Sequence, residues 1–235
     1  MKGPTASGGG RGLTTRLKTA KGRPTGSQLW LQRQLNDPYV RAAQAAGLRS
    51  RAAFKLKELD EKFKLLKPGS RVVDLGAAPG GWTQVAGAIL GDRGKLVALD
   101  ILPMDPLPGA IVLLGDFQNP ATEQAVLEAL AGPADLVMSD MAPNTTGHNA
   151  TDHLRIVGLA ELALDFALKV LAPGGAFVAK VLQGGSAKEL LDLLKTNFAS
   201  VKHAKPPASR KDSAELYVVA QGFKGRPMEP PGERA

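Results

Sequence analysis

Two lysines and two acids in this chain stand where charge is costly, and as a group they could manage a proton. Lys180 lies inside AFVAKVLQG, an otherwise apolar run that reads as a central strand. An ammonium buried there is unfavourable unless it is paired or put to use. Lys55 shares a helical stripe with Leu59, Phe63 and Leu66. Asp140 ends the run DLVMSD and opens the turn SDMAPN, while Glu215 begins ELYVVA. Each has an ordinary explanation: Lys180 turned to an exposed face, Lys55 snorkelling from the stripe edge, Asp140 as a turn cap, Glu215 as a solvated strand start. Together they form a set of mutually compensating charges expected to converge at one sheet edge.

Residues 72–84, VVDLGAAPGGWTQ, supply the second element of chemistry. A short apolar run ends on Asp74, and a turn carrying Gly76, Gly80 and Gly81 leads into a helical pattern. Glycines let backbone approach a ligand, and a helix N-terminus presents free N–H groups to it. The turn lacks G-x-G-x-x-G and the Gly-Lys-Ser/Thr of a phosphate loop, and Pro79 occupies its tightest part. The ligand expected is adenosyl-like without phosphates, and S-adenosylmethionine (SAM) fits. Trp82 reads either as a core anchor at the helix start or as a residue packing near that cofactor.

Elements in helix–strand alternation must position these groups. Asp37-Pro38 opens a helix to about Ala46, and Ser50 caps a second, SRAAFKLKELDEKFKLL, that stops at Pro68-Gly69. Strands are expected at 71–75, 95–100, 111–114, 135–139 and 176–182, with late β-rich runs near Val201 and at 216–220. Helices are expected over 81–90, from Asn119-Pro120 through Leu130, over 151–171 ending at APGG, and over 186–198. This alternation predicts an α/β fold, a mostly parallel sheet with helices on both faces. Asp74, Asp100, Asp116 and Asp140 each fall at or just past the carboxyl end of a strand, the edge where open α/β sheets bind ligands. Asp100 follows the glycine turn at roughly the 20-residue distance at which Rossmann-like folds place an acid on ribose hydroxyls.

Composition bounds the partners. The chain has 235 residues, a net charge of +8 and no cysteine, so disulfides, thiolate nucleophiles and Cys-based zinc sites are excluded. Its three histidines lack metal-ligand spacing, and no metal is expected. No run is apolar enough to cross a bilayer, and a cytoplasmic location is expected. The positive charge implies an anionic partner. Seven basic residues precede the first acid, Asp37, and residues 1–28 read as a disordered basic arm. A mitochondrial transit peptide is the competing reading, opposed by the glycine and proline content. Residues 29–223 read as one domain and 224–235 as a flexible tail. Phosphate contacts are expected from the arm and from Arg49, Arg51, Lys55, Lys57, Lys62 and Lys64. No unexplained apolar stripe calls for a partner, so a monomer is expected.

In order, LRSRAAFKLKELD, VVDLGAAPGGW, ALDILPMDP, GDF, MSDMAPNTTG, APGGAFVAKVLQG and SRKDSAELYVVA resemble the FtsJ/RlmE family of ribosomal RNA 2′-O-ribose methyltransferases. The match spans roughly Trp30 to Gly222. The resemblance implies a Rossmann-like SAM-dependent methyltransferase fold with a seven-stranded sheet. It implies a catalytic tetrad of Lys55, Asp140, Lys180 and Glu215, with Lys180 as proton acceptor. SAM would be contacted by Gly80, Trp82, Asp100, Asp116 and Asp140. The implied substrate is a uridine of 23S, large-subunit ribosomal RNA in the peptidyl-transferase region, presented within the 50S particle. Alternatives are a tRNA or cap ribose methyltransferase, which would use the same tetrad, and a non-catalytic RNA-binding ribosome-assembly factor. An NAD-type dehydrogenase is opposed by the missing dinucleotide fingerprint.

Overall fold

The computed structural model describes residues 25–143, 147–183 and 188–225. Three helices lead in: α1 (Thr25–Asn36), α2 (Pro38–Ala45) and α3 (Ala52–Phe63). There follow β1 (Arg71–Leu75), α4 (Gly81–Leu90), β2 (Lys95–Asp100), β3 (Ala110–Leu114), α5 (Pro120–Leu130) and β4 (Ala134–Ser139). The remainder comprises α6 (Asn149–Val170), β5 (Leu171–Leu182), α7 (Lys188–Asn197), β6 (Phe198–Ala204) and β7 (Glu215–Phe223). The seven strands form one sheet in the order β3-β2-β1-β4-β5-β7-β6. All neighbours pair in parallel except β7, which runs antiparallel to β5 and to β6. Strand order reverses between β1 and β4, and a crevice opens at such a point outside the carboxyl ends.

Each face of the sheet buries its own core, and strand alternation assigns residues to one or the other. Val73, Leu75, Val137, Phe177, Ala179 and Val181 pack with α5, α6 and α7 through Val126, Leu130, Ala160, Phe166 and Leu190. Val72, Leu136, Met138, Val178, Tyr217 and Val219 pack with α3 and α4 through Leu56, Leu59, Trp82 and Val85. The alternation places Asp74 and Lys180 on the second face, beneath α4 and α3.

The caps at Asp37 and Asn119 form as their sequences indicate: each side chain accepts from a backbone N–H two residues on, Tyr39 at 3.0 Å and Ala121 at 2.9 Å. Several expectations need correction. The expected disordered arm of residues 1–28 overlaps α1, which begins at Thr25; residues 1–24 lie outside the described residues, as does most of the tail, 226–235. Ser50 does not cap α3 with its side chain, because Arg51 already has helical geometry and Ser50 offers only its carbonyl, to Ala53. That helix stops at Phe63 rather than running to Pro68. Lys64 turns left-handed (φ 55°), and Asp60 Oδ1 accepts the Leu66 N–H at 2.8 Å, so Leu65 and Leu66 enter the core from a loop. β5 starts at Leu171, which pairs with Ala134 of β4; APGG, where the preceding helix is expected to end, spans the register irregularity before pairing resumes between Ala176 and Leu136.

Candidate active site

A cleft of about 560 Å³ lies over the carboxyl ends of β1, β2 and β4, where the strand order reverses. Its floor is the glycine turn. Gly76 and Ala77 donate their N–H groups to the Leu99 carbonyl at 2.9 and 3.1 Å, tying the turn to β2. Gly76 has φ 76°, and a Cβ there would stand 2.5 Å from Met141 Cγ and 3.0 Å from its Cα, so no side chain fits. Asp100 supports the turn from the side: Oδ2 accepts from the Ala78 N–H and Oδ1 from the Leu102 N–H, each at 2.8 Å. Each of these oxygens retains a lone pair for a ligand. Ile101, Leu102 and Phe117 give the cleft apolar walls, and Asp100, Asp116 and Asp140 are its carboxylates.

Asp140, which lines the cleft, belongs to a string of four joined charges, whereas Lys55, Lys180 and Glu215 lie outside the cleft's lining. Lys55 binds both oxygens of Glu215, at 2.7 and 2.8 Å, and donates to the Tyr217 hydroxyl at 3.1 Å. Tyr217 in turn donates to Asp140 Oδ1 at 2.6 Å. Lys180 reaches the same Oδ1 at 2.7 Å and the Asp140 carbonyl at 2.7 Å. Only 10% of each lysine side chain is exposed, which rules out both snorkelling explanations. Two cations and two anions leave the string formally neutral, the condition under which buried charge is tolerated.

Electrostatics sets the protonation of Asp140 and Tyr217. Burial alone would raise the Asp140 carboxyl, yet Lys180 and then Lys55 outweigh it and hold the group below the ordinary aspartate range. Tyr217 is driven well above the usual phenol value, first by burial and then by the Asp140 and Glu215 carboxylates, so it remains a neutral donor. Asp74 differs: fully buried, it accepts from Thr83 Oγ1 at 2.7 Å, while its Oδ1 has no hydrogen-bond partner among the described residues. Burial pushes it up to about 7; Asp140 and Asp100 push the same way, and the Thr83 hydrogen bond opposes them.

The structure brings Lys55, Asp140, Lys180 and Glu215 together. Of the expected cofactor contacts, Asp100, Asp116 and Asp140 line the cleft, whereas Gly80 and Trp82 do not. Trp82 is 2% exposed, lies against Tyr217 with ring centroids 5.5 Å apart, and donates its indole N–H to the Ala52 carbonyl at 2.9 Å. Three of the expected phosphate contacts are engaged elsewhere. Lys55 is in the string, Arg49 faces backbone carbonyls, and Arg51 pairs with Asp37 at 3.1 Å and donates to the Ala208 carbonyl. Sequence reasoning missed Tyr217 and Ser209, which donates to Glu215 Oε1 at 2.8 Å. Alternation in E-L-Y held the signal for Tyr217: it must share a face with Glu215.

The FtsJ-like methyltransferase family profile matches residues 48–223. The chain is 64% identical over 228 residues to ribosomal RNA large subunit methyltransferase E of Paramagnetospirillum magneticum, covering 95% of this chain and 93% of that protein. It is 63% identical over 214 residues to the protein of the same name from Gluconobacter oxydans, covering 91% and 79%. Among solved structures, one from Plasmodium falciparum described as a ribosomal RNA methyltransferase superposes with a TM-score of 0.65 at 30% identity, over 76% of this chain and all of that one. A cleft with carboxylates but no phosphate loop, over a sheet of this order, suits SAM. Together with the matched span, it places the chain in the FtsJ-like methyltransferase family, as a SAM-dependent enzyme of Rossmann-like fold.

Proposed function

We propose that the chain methylates the ribose 2′-hydroxyl of a uridine in 23S, large-subunit ribosomal RNA, within the 50S particle. The observation that carries this reading is the string of contacts that seats the Lys180 ammonium on Asp140 at the cleft. The names of the relatives at 63% and 64% identity support the substrate class.

Bound SAM supplies a methyl group already activated on a sulfonium. What remains for the protein is alignment and the hydroxyl proton. Two of the three Lys180 ammonium hydrogens have acceptors in Asp140, which leaves the third for a ribose oxygen. In that state Lys180 orients the hydroxyl and stabilises the charge developing on its oxygen, and the hydroxyl proton leaves to solvent. As a free amine it takes the proton directly. Asp140 both aims Lys180 and lines the cleft, so one carboxylate sets the lysine against the donor site. Lys55 is linked to Asp140 by hydrogen bonds through Tyr217 and otherwise acts on it only by its charge, and the loss of Lys55 or Glu215 costs less. Asp100 is assigned the ribose hydroxyls of SAM, and Asp116, which also lines the cleft, a further contact to it. Gly80 and Trp82 act from behind, shaping the turn and backing Tyr217.

The basic arm is assigned phosphate contacts, and the protein acts as a cytoplasmic monomer. Among the described residues no helix is long and apolar enough to cross a membrane. The test is transfer of labelled methyl from SAM to purified 50S subunits, naked ribosomal RNA and tRNA in parallel. Label in the 50S arm supports the proposal, and label in tRNA alone refutes it. Lys180→Ala should abolish transfer while SAM binding, followed by calorimetry, persists. Full activity in that variant would remove Lys180 from the reaction.

A further inference from the structure

Arg49 lies just ahead of α3, but its side chain serves the cofactor turn. The guanidinium donates to the Asp105 carbonyl at 2.7 Å, to that of Pro106 at 2.8 Å and, more loosely, to that of Pro79 at 3.4 Å. Pro79 belongs to the glycine turn. Asp105 and Pro106 belong to the segment after β2, whose first residues, Ile101 and Leu102, line the cleft. The Arg49 backbone N–H donates to Gln84 Oε1 of α4 at 3.0 Å, and Gln84 Nε2 donates to the Gly47 carbonyl at 2.9 Å. One residue thus ties together the lead into α3, the turn, the start of α4 and the segment walling the cleft.

The glycine turn admits this clamp at Gly80. A Cβ there would lie 3.0 Å from Arg49 Nη1, 2.9 Å from Met104 Sδ and 3.0 Å from Leu107 Cδ1, on a backbone with φ 101°. Gly80 therefore yields space to the back of the turn. A planar fork of donors can hold diverging carbonyls in a fixed geometry, which the single ammonium of lysine does less well.

We infer that Arg49 is a positioning residue for the SAM site: it sets the glycine turn and the 101–108 segment in the arrangement that shapes the cleft, without touching the donor. The inference rests on the cleft being the SAM site. It is tested with full-length Arg49→Met and Arg49→Lys. The readouts are SAM binding by calorimetry, KM for SAM and kcat on ribosomal RNA, and RNA affinity at two salt concentrations. Arg49→Met should weaken SAM binding about tenfold or more, since charged hydrogen bonds to two carbonyls are lost. KM should rise with it, kcat at saturating SAM should stay within about twofold, and RNA affinity and its salt slope should not move. Arg49→Lys should recover part of the binding, and it carries the test alone if Arg49→Met does not fold. Unchanged SAM binding in the variants overturns the inference. So does a loss confined to RNA affinity with a shallower salt slope, which would make Arg49 a phosphate contact. Wild-type protein that binds no SAM would instead overturn the reading of the cleft.

Discussion

At the scale of single residues, the hydroxyl of Tyr217 joins by hydrogen bonds two ion pairs that no direct hydrogen bond connects among the described residues. It accepts from Lys55 and donates to Asp140, and its ring is fully buried against Trp82. Tyr217→Phe keeps the ring and removes only the bridge. Each charge retains a partner, Glu215 for Lys55 and Lys180 for Asp140, so the expected stability loss is about 1–2 kcal/mol. Turnover should fall about tenfold or more as Asp140 loses one of the donors that fix it, while SAM affinity holds. Single-turnover methylation alongside calorimetry checks this, and unaltered turnover would leave the bridge without a role. Lys180 and Asp140 were legible in the sequence because charge inside a strand, or at its carboxyl end, is conspicuous. Tyr217 shares a face with Glu215 by alternation, but its role was not legible, because an aromatic residue in ELYVVA is what any buried strand contains, and its partner across the ladder, Lys180, becomes known only with the register.

At the scale of elements, the turn before β7 aims Glu215. Ala208 is fully buried, its N–H donates to Glu58 Oε2 at 2.7 Å, and its carbonyl accepts from Arg51. Asp37 takes both Arg51 and Arg210, at 3.1 and 3.3 Å, and caps α2 as well. The turn is thereby latched to α2 and α3, and Ser209 is left donating to Glu215 Oε1. Ser209→Ala should lower kcat several-fold and leave SAM affinity and the melting temperature nearly unchanged, because Lys55 still holds the carboxylate. Ser209→Thr, which keeps the hydroxyl, should recover most of the loss. A parallel fall in kcat for both variants would mean that packing, and not the hydrogen bond, is what matters. Helices with strong caps were read correctly, at Asp37 and Asn119. The end of α3 was not, because its apolar period continues through Leu65 and Leu66 while the backbone leaves the helix at Lys64. Arg51 looked like a phosphate ligand for a similar reason: only the packing of the 206–210 turn reveals its carbonyl partner.

At the scale of the whole molecule, a buried acid links folding to pH. Asp74 has its carboxyl raised from 3.8 to about 7. The folded state thus binds the proton more tightly than the unfolded chain. The resulting stabilisation is complete below about 4 and is lost as pH rises through about 7. Asp74→Asn is neutral throughout, so its melting temperature should fall less than that of the wild type between pH 5 and pH 8. Identical pH profiles would contradict a proton on Asp74. The α/β architecture and the ligand-binding edge were legible from alternation and from acids at strand ends. The strand order was not, since two late β-rich runs do not reveal which lies inside. That order matters beyond geometry. β7 follows every other described strand in the chain, yet it lodges between β5 and β6 and brings in both Glu215 and Tyr217. A chain cut short before β7 would hold both lysines with only one of their two acids, so the four charges can be assembled only once β7 is seated.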